Sequence, residues 1–183
     1  MRQAIYEDLY RYEGENAKKL SVRLKYFFFV PGYTMVHCYR MASTSNNFFL
    51  KAFWRVLHRI TMYITGIQIP VETKIGKGFR IVHFGTIVVN PNAVIGDNFN
   101  LSQGTLIGNS QGRRAGFPKI GNNVCMQANS IIVGGVTIGN NVFIAPGAFV
   151  NFDVPDNCLV IGNPGQIIQR DYSPTEEYIV YPV

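Results

Sequence analysis

Three histidines, His37, His58 and His83, are the only imidazoles in the chain. An imidazole with a pKa of about 6.5 is suited to taking a proton from a hydroxyl as that oxygen attacks a carbonyl. His37 and His58 fall in a segment that reads as helical, whereas His83 interrupts a repetitive segment, in Ile81-Val-His-Phe-Gly-Thr. It stands two residues after a repeat position, so its side chain is expected near a corner and not in the core. Three cysteines, Cys38, Cys125 and Cys158, are unclustered and odd in number, without a CxxC or a His-rich neighbourhood. Neither a zinc site nor a disulfide framework is indicated, no metal is expected, and a reducing cytoplasm fits.

The element that must hold His83 is a repeat of six residues. Aliphatic or Met side chains recur at Ile69, Ile75, Ile81 and Ile87, then at Ile95, Leu101 and Ile107, and finally at Ile120, Met126, Ile132, Ile138, Ile144 and Val150. A period of six matches neither the helical 3.6 nor plain strand alternation, but suits a triangular coil in which each hexad makes one short strand and one corner. The position four later is often small or β-branched, as at Thr73, Thr105, Val124, Ser130, Val136, Val142 and Ala148, and is expected to share the narrow core; the same rule would bury Gly85. Corners reading Ile-Gly-Asp-Asn or Ile-Gly-Asn-Asn carry residues that tolerate positive φ. Two phase breaks are expected to emerge on the surface: a two-residue slip near Val88–Pro91 and seven additional residues within Gly108–Lys119.

Ahead of the coil, residues 2–12 and about 18–65 read as helical, with breakers at Gly14, at Pro31-Gly32 and over residues 43–47. The expected division is a helical region at 1–66 capping the first coil, a β-helix at 67–168 and a closing tail at 169–183. Hydrophobic residues make up 47% of the 183 and charged residues 15%, which argues against disorder and for apolar surface covered by other subunits. The net charge of +6 is uneven: residues 1–66 hold ten Lys/Arg against four Asp/Glu, and residues 67–183 hold seven of each. The first third also holds 14 of the 24 aromatic residues. Basic residues mixed with aromatics there point to a membrane surface or another anionic partner, or to aromatics buried between subunits. The amino terminus lacks an apolar signal core and no uncharged run approaches the roughly 20 residues that span a bilayer, so a soluble or peripheral cytoplasmic protein is expected. The bases form no dense run, and nucleic acid is not an expected partner.

At the level of motifs the chain resembles the serine acetyltransferases and related hexapeptide-repeat acyltransferases of bacterial polysaccharide clusters. Pro31-Gly-Tyr-Thr-Met-Val-His-Cys-Tyr-Arg40 is similar to that family's GYxAxxxYR helix and Ile75-Gly-Lys-Gly-Phe-Arg-Ile-Val-His83 to its IGxGxxxDH. Thr105-Leu-Ile-Gly108 resembles TLGG, Pro118-Lys-Ile resembles HPKI, and Gly162-Asn-Pro-Gly resembles AGVPA. The resemblance implies a left-handed parallel β-helix, a homotrimer, acetyl-CoA in a groove between subunits, and His83 as the base. It also implies that Gly108, Ala128 and Ala145 let the pantetheine arm approach, with backbone donors near Gly108-Asn109 at the thioester oxygen.

Departures from the family pattern bear on the acceptor. Val82 replaces the acid before the base, Gln68 replaces the acid that orients it, Gly116 replaces an arginine, and Phe117 replaces the histidine of HPKI. No acid remains to meet an ammonium group. Phe117 offers an apolar face for a pyranose ring with Arg113 and Arg114 nearby, so a sugar hydroxyl in surface polysaccharide synthesis is the expected acceptor. Gln68 is the aligned candidate for orienting His83. If the acceptor is a lipid-linked glycan, the basic aromatic front end would hold the enzyme at the inner face of the membrane. Serine O-acetylation in cysteine synthesis is the alternative. A zinc-dependent β-helix carbonic anhydrase would need three coil histidines, and a nucleotidyltransferase would need a phosphate loop ahead of the repeat. A non-catalytic scaffold is what the lost acids leave open.

Overall fold

The computed structural model of the chain describes residues 2–183. Four helices come first: α1 (Arg2–Glu13), α2 (Leu20–Phe29), α3 (Pro31–Thr44) and α4 (Phe48–Thr65), with a 3-10 turn over Gly14–Lys18. Pro31 opens α3, where its missing N–H leaves no bond unmade, and Val30 before it is extended. Asn47 caps α4 by accepting from the Leu50 N–H at 3.0 Å, and Gly66 ends that helix at φ 70°.

From Ile67 onward the chain winds around three flat faces. The A face holds β1 (Ile67–Gln68), β4 (Ile87–Val89), β7 (Leu106–Gly108), β10 (Ile131–Val133) and β13 (Phe149–Val150). The B face holds β2 (Lys74–Ile75), β5 (Val94–Ile95), β8 (Lys119–Ile120) and β11 (Thr137–Ile138). The C face holds β3 (Arg80–Ile81), β6 (Asn100–Leu101), β9 (Cys125–Met126), β12 (Phe143–Ile144), β14 (Cys158–Ile161) and β15 (Gln166–Gln169). All neighbours are parallel except the hairpin of β14 and β15, which closes the stack. This is the coil with a helical cap that the repeat implied, and the left-handed parallel β-helix that the family resemblance implied.

The repeat residues fill the core as expected, and so do the small residues four positions later, from Thr73 to Ala148. Each buried aliphatic side chain contributes roughly 1.5–3 kcal/mol, and its stacking on the next coil keeps the pitch uniform. Two details differ from the sequence reading. Ile81 pairs with Leu101 and Val89 with Ile107, so eight residues separate Ile81 from Val89 where six separate their partners. The A-face repeat position is therefore Val89, and the two extra residues lie within Val82–Thr86, not near Val88–Pro91. Gly85 falls in this widened corner, half-buried at φ 147°, and not in the core.

The second difference concerns the Gly-Asn corners on the B–C edge. Asn98, Asn123, Asn141 and Asn157 do adopt positive φ, from 55 to 56°. Their side chains form a ladder, each amide donating to the carbonyl oxygen of the next at 3.1, 3.0 and 2.9 Å. The preceding glycines are there for a different reason: a Cβ at Gly96 would lie 2.7 Å from the Gly121 backbone, and one at Gly121 would lie 2.8 Å from the Gly139 oxygen. Close coil stacking excludes a side chain at these positions.

The cap is fastened to the first coils by buried polar groups. Asp8 is fully buried and accepts from Arg40 Nε at 2.7 Å and Nη2 at 3.0 Å, while Arg40 Nη1 donates to the Ile75 carbonyl at 2.7 Å. Arg11, also fully buried, donates to the Gly78 carbonyl, to Asn100 Oδ1 and to the Val180 carbonyl. The last bond shows what the tail does. Residues 170–183 run back along the coil, with Thr175 Oγ1 donating to the Asn123 carbonyl and Asn100 Nδ2 to the Tyr178 carbonyl, until the Val183 N–H reaches Asn98 Oδ1. The tail thus straps the end of the chain to the cap.

Candidate active site

His83 is exposed on the widened corner between β3 and β4, on the C–A edge. Its chain neighbours Val82 and Phe84 are apolar and 38% and 54% exposed. The other two histidines are sheltered by the helices. Burial pushes His37 down to about 4, against the rings of Phe27, Tyr33 and Trp54, and burial also lowers His58. Of the three imidazoles, His83 is the one that is exposed.

The register of the C face shows what lies beneath His83. Ile81 aligns with Leu101, Leu101 with Met126 and Met126 with Ile144. Two residues after each, His83, Gln103, Ala128 and Pro146 follow one another down the C–A edge. Ala128 and Ala145 thus stand on the same edge as His83, both half-buried. Gln103 was not singled out from sequence, yet its Oε1 is buried without a hydrogen-bond partner. A Cβ placed on Gly85 would lie 3.2 Å from the Gln103 Cβ, so the His83 corner passes directly over it. The signal was present in the repeat, since Gln103 follows Leu101 at the spacing by which His83 follows Ile81.

Gln68 lies on β1 at the top of the A face, exposed, with its Cα in register with Val88. Among the described residues no hydrogen bond joins it to His83. Gln103, with its buried amide oxygen, lies one coil below the His83 corner.

The remaining expected site residues occupy the next edge, across the A face. Gly108 ends β7 on the A–B edge, and Asn109 beside it is exposed and accepts from Asn90 Nδ2 at 3.4 Å. A Cβ on Gly108 would meet nothing closer than the Val133 side chain at 3.4 Å, an ordinary contact. Its own coil does not require glycine there. The long loop rises from the same edge and is tied down on it. Ser110 and Gly116 exchange backbone bonds, the Gly135 N–H donates to the Arg114 carbonyl at 2.8 Å, and Arg114 Nη1 meets Asp153 Oδ2 at 2.7 Å. The hydrogen bond from Arg114 holds the Asp153 carboxyl below its usual value, helped by the Thr137 N–H. Arg113 and Arg114 line an open recess of 750 Å³ with Ala115, Gly135 and Asn151. Phe117, 40% exposed, lines a second recess of 330 Å³ toward the B face with Val94, Lys119 and Thr137. Within one chain, then, His83, Ala128 and Ala145 share one edge, while Gly108, Asn109, Arg113, Arg114 and Phe117 share another. Among the described residues no three His, Cys, Asp or Glu side chains gather as a metal site requires.

Known proteins share this repeat and fold. The family described as Bacterial transferase hexapeptide (six repeats) matches over residues 117–151. A putative colanic acid biosynthesis acetyltransferase, WcaB, from Escherichia coli strain K12 is 34% identical over 141 residues, which are 75% of this chain and 87% of that protein. A serine acetyltransferase from Synechococcus elongatus is 33% identical over 142 residues, covering 76% of this chain but only 58% of the relative's length. Among solved structures, the serine acetyltransferase of Neisseria gonorrhoeae superposes with a TM-score of 0.76 at 26% identity, over 93% of this chain and 67% of the other. By the repeat family that it matches and its identity to these relatives over three quarters of its length, the chain belongs to the bacterial hexapeptide-repeat transferases, in the group that holds the serine acetyltransferases and WcaB.

Proposed function

We propose that the chain is an O-acetyltransferase that uses acetyl-CoA and acts on a sugar hydroxyl, with His83 as the base. The observation that carries this reading is the corner itself: the one accessible imidazole stands on the one widened C–A corner, over an unpaired amide oxygen and between apolar side chains. His83 takes the proton of the acceptor hydroxyl as that oxygen forms the ester bond to the acetyl carbon. The carbon–sulfur bond breaks, and His83 hands the proton to the departing thiolate, so that ester and free thiol result. Gln103 is the residue suited to hold the imidazole, through an N–H donated to its Oε1. Gln68 is the second candidate.

The donor's path is supported by Gly108, where a small residue is kept although its own coil leaves room for a larger one. Ala128 and Ala145 serve the same path from the other edge. These two edges flank the A face, whose outward residues Val88, Leu106, Ile131 and Phe149 are apolar and half-buried. The C face is already covered by the tail, with Tyr178 against Phe143, and the B face turns Lys74, Lys119 and Thr137 outward. In a trimer with the A faces toward a common axis, the C–A edge of each copy meets the A–B edge of the next. His83 of one copy would then face Gly108 and the Arg113–Phe117 loop of its neighbour.

A sugar hydroxyl is favoured over serine because Val82 and Phe84 flank His83 and no carboxylate stands beside it for an ammonium group. The WcaB likeness over 87% of that protein supports the same choice. Serine O-acetylation is the second reading, supported by the Synechococcus relative. Thiol release from acetyl-CoA, followed with a panel of sugars and with free serine, separates them. Turnover with sugars and little with serine is expected. Turnover with serine alone would replace the first reading by the second, and the absence of release with every acceptor would remove the enzyme assignment.

A further inference from the structure

The helical cap carries an apolar surface that neither the coil nor the tail covers. On α4, Phe49, Phe53, Val56, Ile60, Tyr63 and Ile64 are between 46% and 80% exposed. Their spacing of four, three, four and three or four residues places them on one stripe of the helix, roughly 23 Å long at 1.5 Å per residue. The opposite side of α4, with His58, Thr61 and Thr65, is buried against the protein. On α2, Leu20, Leu24 and Phe28 make a second exposed stripe at intervals of four, and Phe27 beside them touches Trp54 of α4 at 6.5 Å between ring centres. An apolar patch of this kind on a water-soluble surface marks a docking face.

Charge identifies what docks there. From Asn16 to Val71 the sequence contains no Asp or Glu, while it contains Lys18, Lys19, Arg23, Lys25, Arg40, Lys51, Arg55 and Arg59. Of these, Arg40 is paired with Asp8 in the interior and Lys18 with Glu15 at the surface. On α4 the exposed Arg59 flanks the apolar stripe and the exposed Arg55 lies one step further round on the same side, while the half-buried Lys51 falls toward the packed side of the helix. Two copies meeting through this face about a two-fold axis would set bases against bases with no acid on the stretch to offset them. A lipid surface with anionic headgroups satisfies both features at once, since it takes the aromatic stripe at the acyl boundary and the Lys/Arg side chains at the phosphates. No described helix is long and apolar enough to cross a membrane.

We infer that the α2 and α4 surface docks the protein peripherally on anionic membranes, with α4 lying in the interfacial plane. Binding to lipid is measured without turnover, so this inference stands or falls apart from the acetyl-transfer reading. Flotation of the full chain with vesicles of phosphatidylcholine alone, and with about one third phosphatidylserine or phosphatidylglycerol, tests it. Binding to the anionic vesicles, weakened by added salt and absent on the neutral ones, is expected. Phe53→Glu with Ile60→Glu changes two exposed side chains and should reduce binding at least about tenfold with an unaltered circular dichroism spectrum. Arg55→Gln with Arg59→Gln should reduce it about fivefold per base removed. The inference is overturned if the intact protein fails to float with anionic vesicles, or if the Phe53/Ile60 variant floats as well as the parent. It is also overturned if that variant changes only the solution mass, which would make the face an interface between copies.

Discussion

The B–C and C–A edges of the same β-helix are built from the same six-residue pace and carry opposite features. On the B–C edge every corner asparagine from Asn98 to Asn157 donates to the next, the backbone N–H groups of Asp97, Asn122 and Asn140 meet side chains one coil below, and the tail seals the top. On the C–A edge the pace is broken by two residues, an imidazole and two apolar side chains are left in solvent, and Gln103 Oε1 is buried unpaired. An edge whose polar groups satisfy one another is fully explained by folding. An edge that leaves them unsatisfied is explained by what binds there, because an orphaned buried acceptor costs about 1–3 kcal/mol that the chain alone does not recover.

Substitutions on the two edges should therefore separate stability from turnover. The largest effect on stability is expected from Asn123→Ala, which removes two ladder bonds and puts alanine at φ 55°. A loss of about 2–4 kcal/mol follows, or roughly 5–15 °C in thermal midpoint, with turnover at 25 °C near the parent's. Asn123→Gly keeps the backbone conformation and should fall between the two. A ladder variant that loses turnover while keeping its midpoint would break the contrast.

On the A–B edge, Gly108→Leu should leave the midpoint within about 2 °C, since a Cβ there makes only ordinary contacts with Val133 and Leu106, and weaken coenzyme A binding by about tenfold or more. Titration calorimetry reads the affinity, and an unchanged value would remove Gly108 from the donor's path. Gln103→Leu should leave stability equal or raised, because it deletes an unpaired buried acceptor, while turnover falls about fivefold and the pH–rate profile shifts. A fall in stability with normal turnover would make Gln103 structural. The smallest effect is expected from Arg114→Ala: its pair with Asp153 is half exposed, so about 0.5 kcal/mol or less should be lost. A larger loss in a denaturant melt would mean that the loop braces the coil.

Much of this was legible in the residues before any coordinates. The hexads from Ile69 to Val150 dictated the triangular coil, because a period of six suits little else, and the breakers at Pro31 and residues 43–47 marked the helix ends. His83 was legible as an interruption of the pattern. The place of the two-residue slip was not, because both Ile87 and Val89 are aliphatic and both are buried, and only the pairing of Val89 with Ile107 decides between them. Corner glycines and corner asparagines also look alike in sequence, although one serves close stacking and the other positive φ. The division of the expected site between two edges follows from which face each strand joins. It adds Gln103 to Gln68 as a proposed partner for the imidazole and makes a neighbouring copy part of the proposed site.

Replacing His83 by alanine and recording turnover, coenzyme A affinity and thermal midpoint on the same sample tests the central claim most directly. Acetyl transfer should fall by about 10²–10⁴, while coenzyme A binding is retained and the midpoint, for an exposed corner residue, moves by no more than about 2 °C. Turnover near the parent's would contradict the assignment of His83 as the base.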